Sequence, residues 1–520
     1  MNLEIIIFLL IDVFYFLFFI FLFCNFLVEL YKTNLRFQNI IIIGRFLKYM
    51  SCSDYILKKK KKFFFKFYKI YYYLIIISVI LYYMCLPVNV WVCFDFLIFF
   101  DYFSMFFGLI YFIFFSLFLL IFIALRVDYF YYIEYLIIII LLNFFVLFLF
   151  KVNDFLFLYV LIEGISLCLY IMAATNYSSV KVSEASVKYF ILAVLSSLFF
   201  LIGISLIYSC FNTVNFFKVK LLFSTVTVNS YNYYLLIFAF LLILVSFFFK
   251  VGAAPFHIWV VEVYHGVTFV TFFFFSVYSK FIFFVILFKL LLTVFSDVLW
   301  VIDILLLTFG ISSIVIGVIG SLVVLDIRRL LAYGSISHAG FLILSLVNFN
   351  FYSVFSFILY LLVYMFLMIS FFFIILLLKK KYLNKYTNLL DFRFRNFSLF
   401  VSLFLFFVFL SMAGVPPFLG FYSKLYVLLN LMSNLENNIY IVLFILIMNL
   451  FGIYVYLRLG VYIFFAKKIH GLGKIRTFSR IITYNILRIL FIFNIVGVFF
   501  LPTLYYNIYV YTFYTLSLLL

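Results

Sequence analysis

Four ionisable residues lie within long apolar runs, where a charge is most costly. Glu163 is central in FLFLYVLIEGISLCLYIMAA, and Lys280 is central in VTFFFFSVYSKFIFFVILF. Lys250 ends the run LLIFAFLLILVSFFFK and is followed at once by GAAPFH, while Lys424 follows GVPPFLGFYS. An ionisable group at bilayer depth costs at least about 2.5–3.5 kcal/mol, so it is retained where it does something. A lysine without a partner in a low-dielectric site holds its proton less firmly than in water, which suits proton exchange near neutral pH. One central glutamate cannot pair three lysines, so a packing role alone does not cover the group. Lys188, within a turn or so of its span's start, is a fifth candidate. Two of the four histidines, His257 in AAPFHIW and His338 in LLAYGSISHAGFLILSL, could act as intermediate carriers. Metal ligation is not expected, because carboxylate or cysteine partners at ligand spacing are missing from the sequence.

The few prolines are equally informative. The chain has five, and three fall in two places: Pro255 in KVGAAPFH, and Pro416 with Pro417 in AGVPPFLG. Gly252 and Gly414 accompany them. Proline inside an apolar run breaks a helix, and a broken span is tolerated only where protein or a hydrated cavity surrounds it. The two breaks stand five spans apart, so their segments cross in opposite directions. Paired breaks in corresponding halves point to an inverted repeat and its ion site. The lysine precedes the proline in one break and follows it in the other.

These residues need a membrane scaffold, and composition supplies one. The 520 residues are 70% hydrophobic and 10% charged, against roughly 45–50% and 25% in soluble domains. A soluble enzyme, a disordered tail and a disulfide-stapled secreted domain are excluded. Phe (86) and Tyr (44) dominate while Pro (5) and Gly (18) are scarce. That balance follows AT-rich codons and suggests an organelle genome. The start, MNLEIIIFLLIDVFYFLFF, reads as a retained membrane helix. The six cysteines form no CxxC pair and read as small buried hydrophobes.

About fourteen spans of bilayer length can be drawn: 4–28, 70–90, 96–125, 129–150, 154–175, 186–210, 233–260, 266–294, 298–323, 330–348, 351–378, 397–429, 438–463 and 482–503. Connections after odd-numbered spans, counting Arg488 at the edge of the last span, hold 27 Lys and Arg, and those after even-numbered spans, counting Lys289 at the edge of the eighth, hold four. By the positive-inside rule, both termini then lie on the less positive side. The net charge of +19 thus reports topology, and nucleic acid is not an expected partner. The domain division expected is 1–128 with a basic loop 31–69, repeats at 129–294 and 298–463, and a basic loop with a last helix at 464–520.

KVGAAPFHIWVVEVYHG resembles the broken-helix signature of the antiporter-like subunits of respiratory complex I. RRLLAYGSISHAGFLILSL and SMAGVPPFLGFYSKLYVL resemble that family's next two signatures. EASVKYFILAVLSS and the lysine of GFYSK are similar to the branch formed by mitochondrial subunit 2 and its bacterial counterpart, subunit N. The resemblance implies an all-α polytopic fold with two inverted five-helix repeats, helices 4–8 and 9–13, and broken helices 7 and 12. It also implies a midplane proton relay through Glu163, Lys188, Lys250, His257, Lys280, His338 and Lys424. No cofactor is expected in this subunit; NADH, FMN, Fe–S clusters and ubiquinone belong elsewhere in such a complex. Expected partners are other membrane-arm subunits, neighbouring antiporter-like subunits among them, and lipids such as cardiolipin. The implied location is the mitochondrial inner membrane, with termini on the intermembrane-space side. A stand-alone Na+(K+)/H+ antiporter subunit and a non-pumping structural subunit are the competing readings. The sequence departs from the signature at Val260, Val261, Val267 and Val270, and His265 replaces a common glutamate.

Overall fold

A computed structural model of the chain describes residues 91–93, 97–125, 132–175, 180–226, 230–378, 399–433 and 439–464. The expected first, second and last spans lie outside the described residues, as do the basic loop 31–69 and the connection 379–395. The chain divides into two compact units. The first holds an antiparallel pair of short strands, β1 (Trp91–Cys93) and β2 (Ile98–Phe100), then α1 (Tyr102–Leu125) and most of α2 (Tyr132–Leu149). Sequence placed a span start at 96, but the backbone at 98–100 is taken by strand pairing. Asp101 then opens α1 by accepting from the Ser104 N–H at 2.9 Å.

The second unit carries every residue of the expected relay. It runs through α3 (Phe155–Ala174), α4 (Val180–Phe211), a short α5 (Phe216–Thr225), α6 (Tyr231–Val251) and α7 (Ile258–Gly266). One continuous span follows, made of α8 (Phe269–Phe273), a π-helical turn (Phe274–Tyr278) and α9 (Ser279–Thr293). A 3-10 turn leads to α10 (Leu299–Val323), α11 (Ile327–Ser345), α12 (Phe351–Leu378), α13 (Leu399–Ala413), α14 (Leu419–Met432) and α15 (Ile439–Phe464). Seven of the described helices are long and apolar enough to cross a membrane. Asp154 caps α3 by accepting from the N–H groups of Leu156 and Phe157.

Burial sorts these helices into layers. The span Val270–Thr293 is buried on every side, whereas α4 and α15 expose most of their apolar surface. A helix that is apolar all round belongs either to a core or to lipid, and sequence alone does not say which. Close packing of α10 on α11 rests on glycine: a Cβ on Gly317 would lie 2.6 Å from the Ser337 backbone nitrogen. Such small-residue contacts let membrane helices approach.

Both proline breaks are present and share one construction. α6 ends at Gly252 (φ 74°), whose N–H donates to the carbonyls of Phe248 and Phe249. α13 ends at Gly414 (φ 82°), which donates to Leu410 and Ser411. This left-handed glycine is a common helix terminator. A cis proline follows three residues later in each case, at Pro255 and Pro417. Aligning the two glycines gives an account of the reversed lysine order. Lys250 corresponds to Met412, and Lys424, ten residues beyond Gly414, corresponds to Glu262. The halves place their candidate lysines on opposite sides of the same break, and in the first half Glu262 takes the place that Lys424 has in the second.

Two basic residues differ from the sequence expectation. Lys289, counted with the connections, lies inside α9 and is buried. Arg458 lies close enough to the end of the expected span 438–463 to snorkel to water, but donates instead to the carbonyls of Ser321, Leu322 and Val324 at the end of α10. The last carbonyls of a helix have no intrahelical donor, so they offer a guanidinium what water would.

Candidate functional site

Glu163 lies mid-helix in α3 and Lys250 in the last turn of α6. Their charges are within electrostatic reach of one another. They are not in direct contact: Glu163 Oε1 and Lys250 Nζ are both buried without a hydrogen-bond partner among the described residues. The other carboxylate oxygen accepts from Ser166 Oγ at 3.3 Å, and the Lys250 ammonium lies 5.8 Å from the centre of the Phe283 ring. Opposite charges that attract without a direct bond are not locked together, an arrangement suited to a pair that must open and close. Glu163 also acts electrostatically on Tyr159 and Tyr189.

Lys280 is the second residue of α9, directly after the π turn, and is 1% exposed. Its ammonium donates to the Ser335 carbonyl in α11. Three residues further along α11, His338 is buried and its Nδ1 is 2.8 Å from the Tyr360 hydroxyl. His338 lies within electrostatic reach of both Lys280 and Lys424. Lys424 in α14 donates to the Ala413 carbonyl at 2.8 Å and to Asn449 Oδ1 in α15 at 2.7 Å. Its ammonium also lies 5.3 Å from the Phe341 ring centre. The break brings this about: the Ala413 carbonyl is left over at the end of α13, and Gly414 leaves room for the lysine stem.

The remaining candidates sit apart. Lys188 forms ion pairs with Glu184 (2.7 Å) on its own helix and with Glu262 (2.6 Å) on α7, and its side chain is partly exposed. It therefore ties α4 to the segment beyond the first break. His257 begins α7 and its Nδ1 is 3.1 Å from the Pro255 carbonyl, so it turns back onto the break itself. Asp101 and Asp303, near the ends of the expected third and ninth spans, accept from the backbone N–H groups of Ser104 and Asn348. Among the described residues, no three His, Cys, Asp or Glu side chains gather as metal ligands.

Sequence reasoning missed Glu262, Asn449 and Ser335. Asn449 interrupts the run IYIVLFILIMNLF, and that polar break was its available signal. Ser335 acts through its carbonyl, which no side-chain pattern announces. His265, at the end of α7, lies 3.7 Å from Asp326 and within reach of the Arg328, Arg329 and Lys181 charges. Burial, then the Arg329 charge, holds its imidazole below the ordinary histidine range. Arg328 donates to the carbonyls of His265 and Val267. The connections after spans 5, 7 and 9 thus meet at one end of the unit, as the counting of basic residues required.

The family profile described as NADH:quinone oxidoreductase/Mrp antiporter, TM, matches residues 152–452. The chain belongs to this family. It is 29% identical over 319 residues to NADH-quinone oxidoreductase subunit N of Pelagibacter ubique, covering 61% of this chain and 65% of that one. It is 35% identical over 295 residues to NADH-ubiquinone oxidoreductase chain 2 of Rhizopus oryzae, covering 53% and 54%. The matches therefore span between about half and two thirds of these relatives' length. Among solved structures, a chain of respiratory complex I from Thermus thermophilus aligns with TM-score 0.64 and 22% identity, over 82% of this chain and 91% of that one. A chain of the Mrp complex from Dietzia aligns with TM-score 0.65 and 20% identity, over 80% and 78%. At these identities the structural likeness concerns the fold.

Proposed function

We propose that the chain is a proton-translocating, antiporter-like subunit of the membrane arm of respiratory complex I in the mitochondrial inner membrane. The observation that carries this is a series of buried ionisable groups within one unit. The series starts at the open Glu163–Lys250 pair, passes Lys280 and His338, and ends at Lys424. Electrostatic reach links Glu163 with Lys250, and His338 with Lys280 and Lys424. A change in protonation at one member alters the field at the next, and in a low-dielectric interior that coupling is strong. Quinone reduction would be carried out by other subunits, with this chain converting the resulting charge displacement into proton movement. Lys188 tunes the first pair through its hold on α7. Relatives named as subunit N or chain 2 support this reading over a free antiporter, as does the KYF motif formed by Lys188, Tyr189 and Phe190.

The test is Lys280→Ala in the assembled complex. The expected result is a lower number of protons pumped per electron from NADH, with assembly intact. An unchanged ratio would overturn the relay. The antiporter reading, favoured by the Mrp likeness, requires the chain to migrate apart from any NADH-oxidising assembly.

A further inference from the structure

The span that carries Lys280 is not a regular helix. Between Phe274 and Tyr278 it makes one π turn, closed by the Ser279 N–H donating to the Phe274 carbonyl five residues back. Such a turn holds one residue more than an α-helical turn, and π turns of this kind recur at functional sites. Each residue rotates a helix by about 100°. The extra residue therefore sets which way Lys280, two positions later, points relative to the part of the span before it.

A π turn buried on every side needs support, because its geometry is poorer than that of an α-helix. Two tyrosine hydroxyls from other elements supply it, beside the Ser279 hydroxyl of the span itself, which donates to the Phe275 carbonyl at 2.6 Å. Tyr264 in α7 donates to the Phe275 carbonyl at 2.8 Å, and Tyr364 in α12 donates to the Ser276 carbonyl. The two carbonyls are consecutive, and both tyrosines are buried. Neither tyrosine is placed only for packing. Tyr264 also faces the hydroxyl of Ser335, the residue whose carbonyl receives the Lys280 ammonium. The Tyr364 ring lies 5.5 Å from the His338 ring. Each tyrosine thus meets the turn on one side and, on the other, a residue beside Lys280: Ser335 for Tyr264 and His338 for Tyr364.

We propose that Tyr264 and Tyr364 are positioning residues for Lys280. By holding the carbonyls of Phe275 and Ser276 they keep the extra residue in the turn, and the turn aims the ammonium at the Ser335 carbonyl and the His338 side of the bundle. Without them the segment relaxes toward α-helical bonding and the lysine rotates away. The inference rests on the relay assigned to Lys280 above.

The experiment compares four variants in the assembled complex: Tyr264→Phe, Tyr364→Phe, the double variant, and Lys280→Ala. Readouts are protons pumped per electron, the pH profile of pumping, and assembly. Each hydrogen bond lost disfavours the turn by about fivefold, and the pair by about thirtyfold. The double variant is expected to approach Lys280→Ala in its pumping ratio with a displaced pH profile, and the single variants to fall between. Deleting Val277 from the double variant supplies the control against a general packing defect. With one residue fewer, the segment is α-helical with Lys280 in its native direction and no longer needs the hydroxyls, so pumping should return. If the double variant fails to assemble, the same deletion should restore assembly as well as pumping. A wild-type pumping ratio and pH profile in the double variant, or no rescue by the deletion, overturns the proposal. If Lys280→Ala itself pumps normally, the relay fails rather than the positioning.

Discussion

Gly414 offers the sharpest test of how the second break serves Lys424. Its φ of 82° lies in the left-handed region, where an L residue with a Cβ pays about 1–2 kcal/mol. A Cβ there would also lie 2.8 Å from Lys424 Cδ, 3.2 Å from Nζ and 3.3 Å from Cε. The lysine end is flexible and would move, but its two bonds, to the Ala413 carbonyl and Asn449, would stretch. A hydrogen bond from a charged group contributes about 1.5–3 kcal/mol. Losing one and straining the backbone gives about 3–5 kcal/mol against the positioned lysine. At about 1.4 kcal/mol per tenfold, Gly414→Ala should depopulate that pose by more than about a hundredfold. The assay is protons pumped per electron in membrane vesicles containing the assembled complex, with Lys424→Met in parallel. Gly414→Asn separates the two causes, because asparagine tolerates the left-handed backbone but keeps the Cβ. Both substitutions should resemble Lys424→Met. If Gly414→Ala pumps normally, or if Gly414→Asn behaves as wild type while Gly414→Ala fails, the contact argument is wrong.

Asn449→Leu should lower pumping while leaving assembly intact, because it removes one of the two hydrogen bonds that hold Lys424 and keeps the volume of the side chain; kinetic assay beside a native gel checks this. His265 supplies a pH dependence. Its folded imidazole is held below the value near 6.5 of an unfolded chain, so on acidification the unfolded state takes up the proton first and stability falls as pH drops below about 6.5. His265→Gln should flatten that loss, read as thermal stability of the complex between pH 7.5 and 5.5; an unchanged slope would assign the acid sensitivity elsewhere.

Much of the scaffold was legible in one dimension. Spans from the third to the thirteenth were found because apolar runs are long and their polar interruptions short. Their ends were less certain, as at 96–101, where strand pairing competes with helix start. The breaks were legible because proline and glycine act on the backbone locally. Ionisable residues were found by the cost of their position, yet their partners were not. Nothing local says that Lys188 meets Glu262 across two helices, that Arg458 ends α10, or that Lys280 finds a carbonyl rather than an acid.

By itself the sequence determined that the chain lives in a membrane, where two of its helices break, and which side chains are too expensive to be incidental. Those properties follow from transfer free energy and backbone geometry, which each residue carries wherever it is placed. Tertiary structure alone decided which of the apolar helices is the core, that both breaks are built on a left-handed glycine, and that a π turn aims Lys280. Hydrogen bonds between distant residues depend on angles and ångströms, and these exist only once the helices have packed.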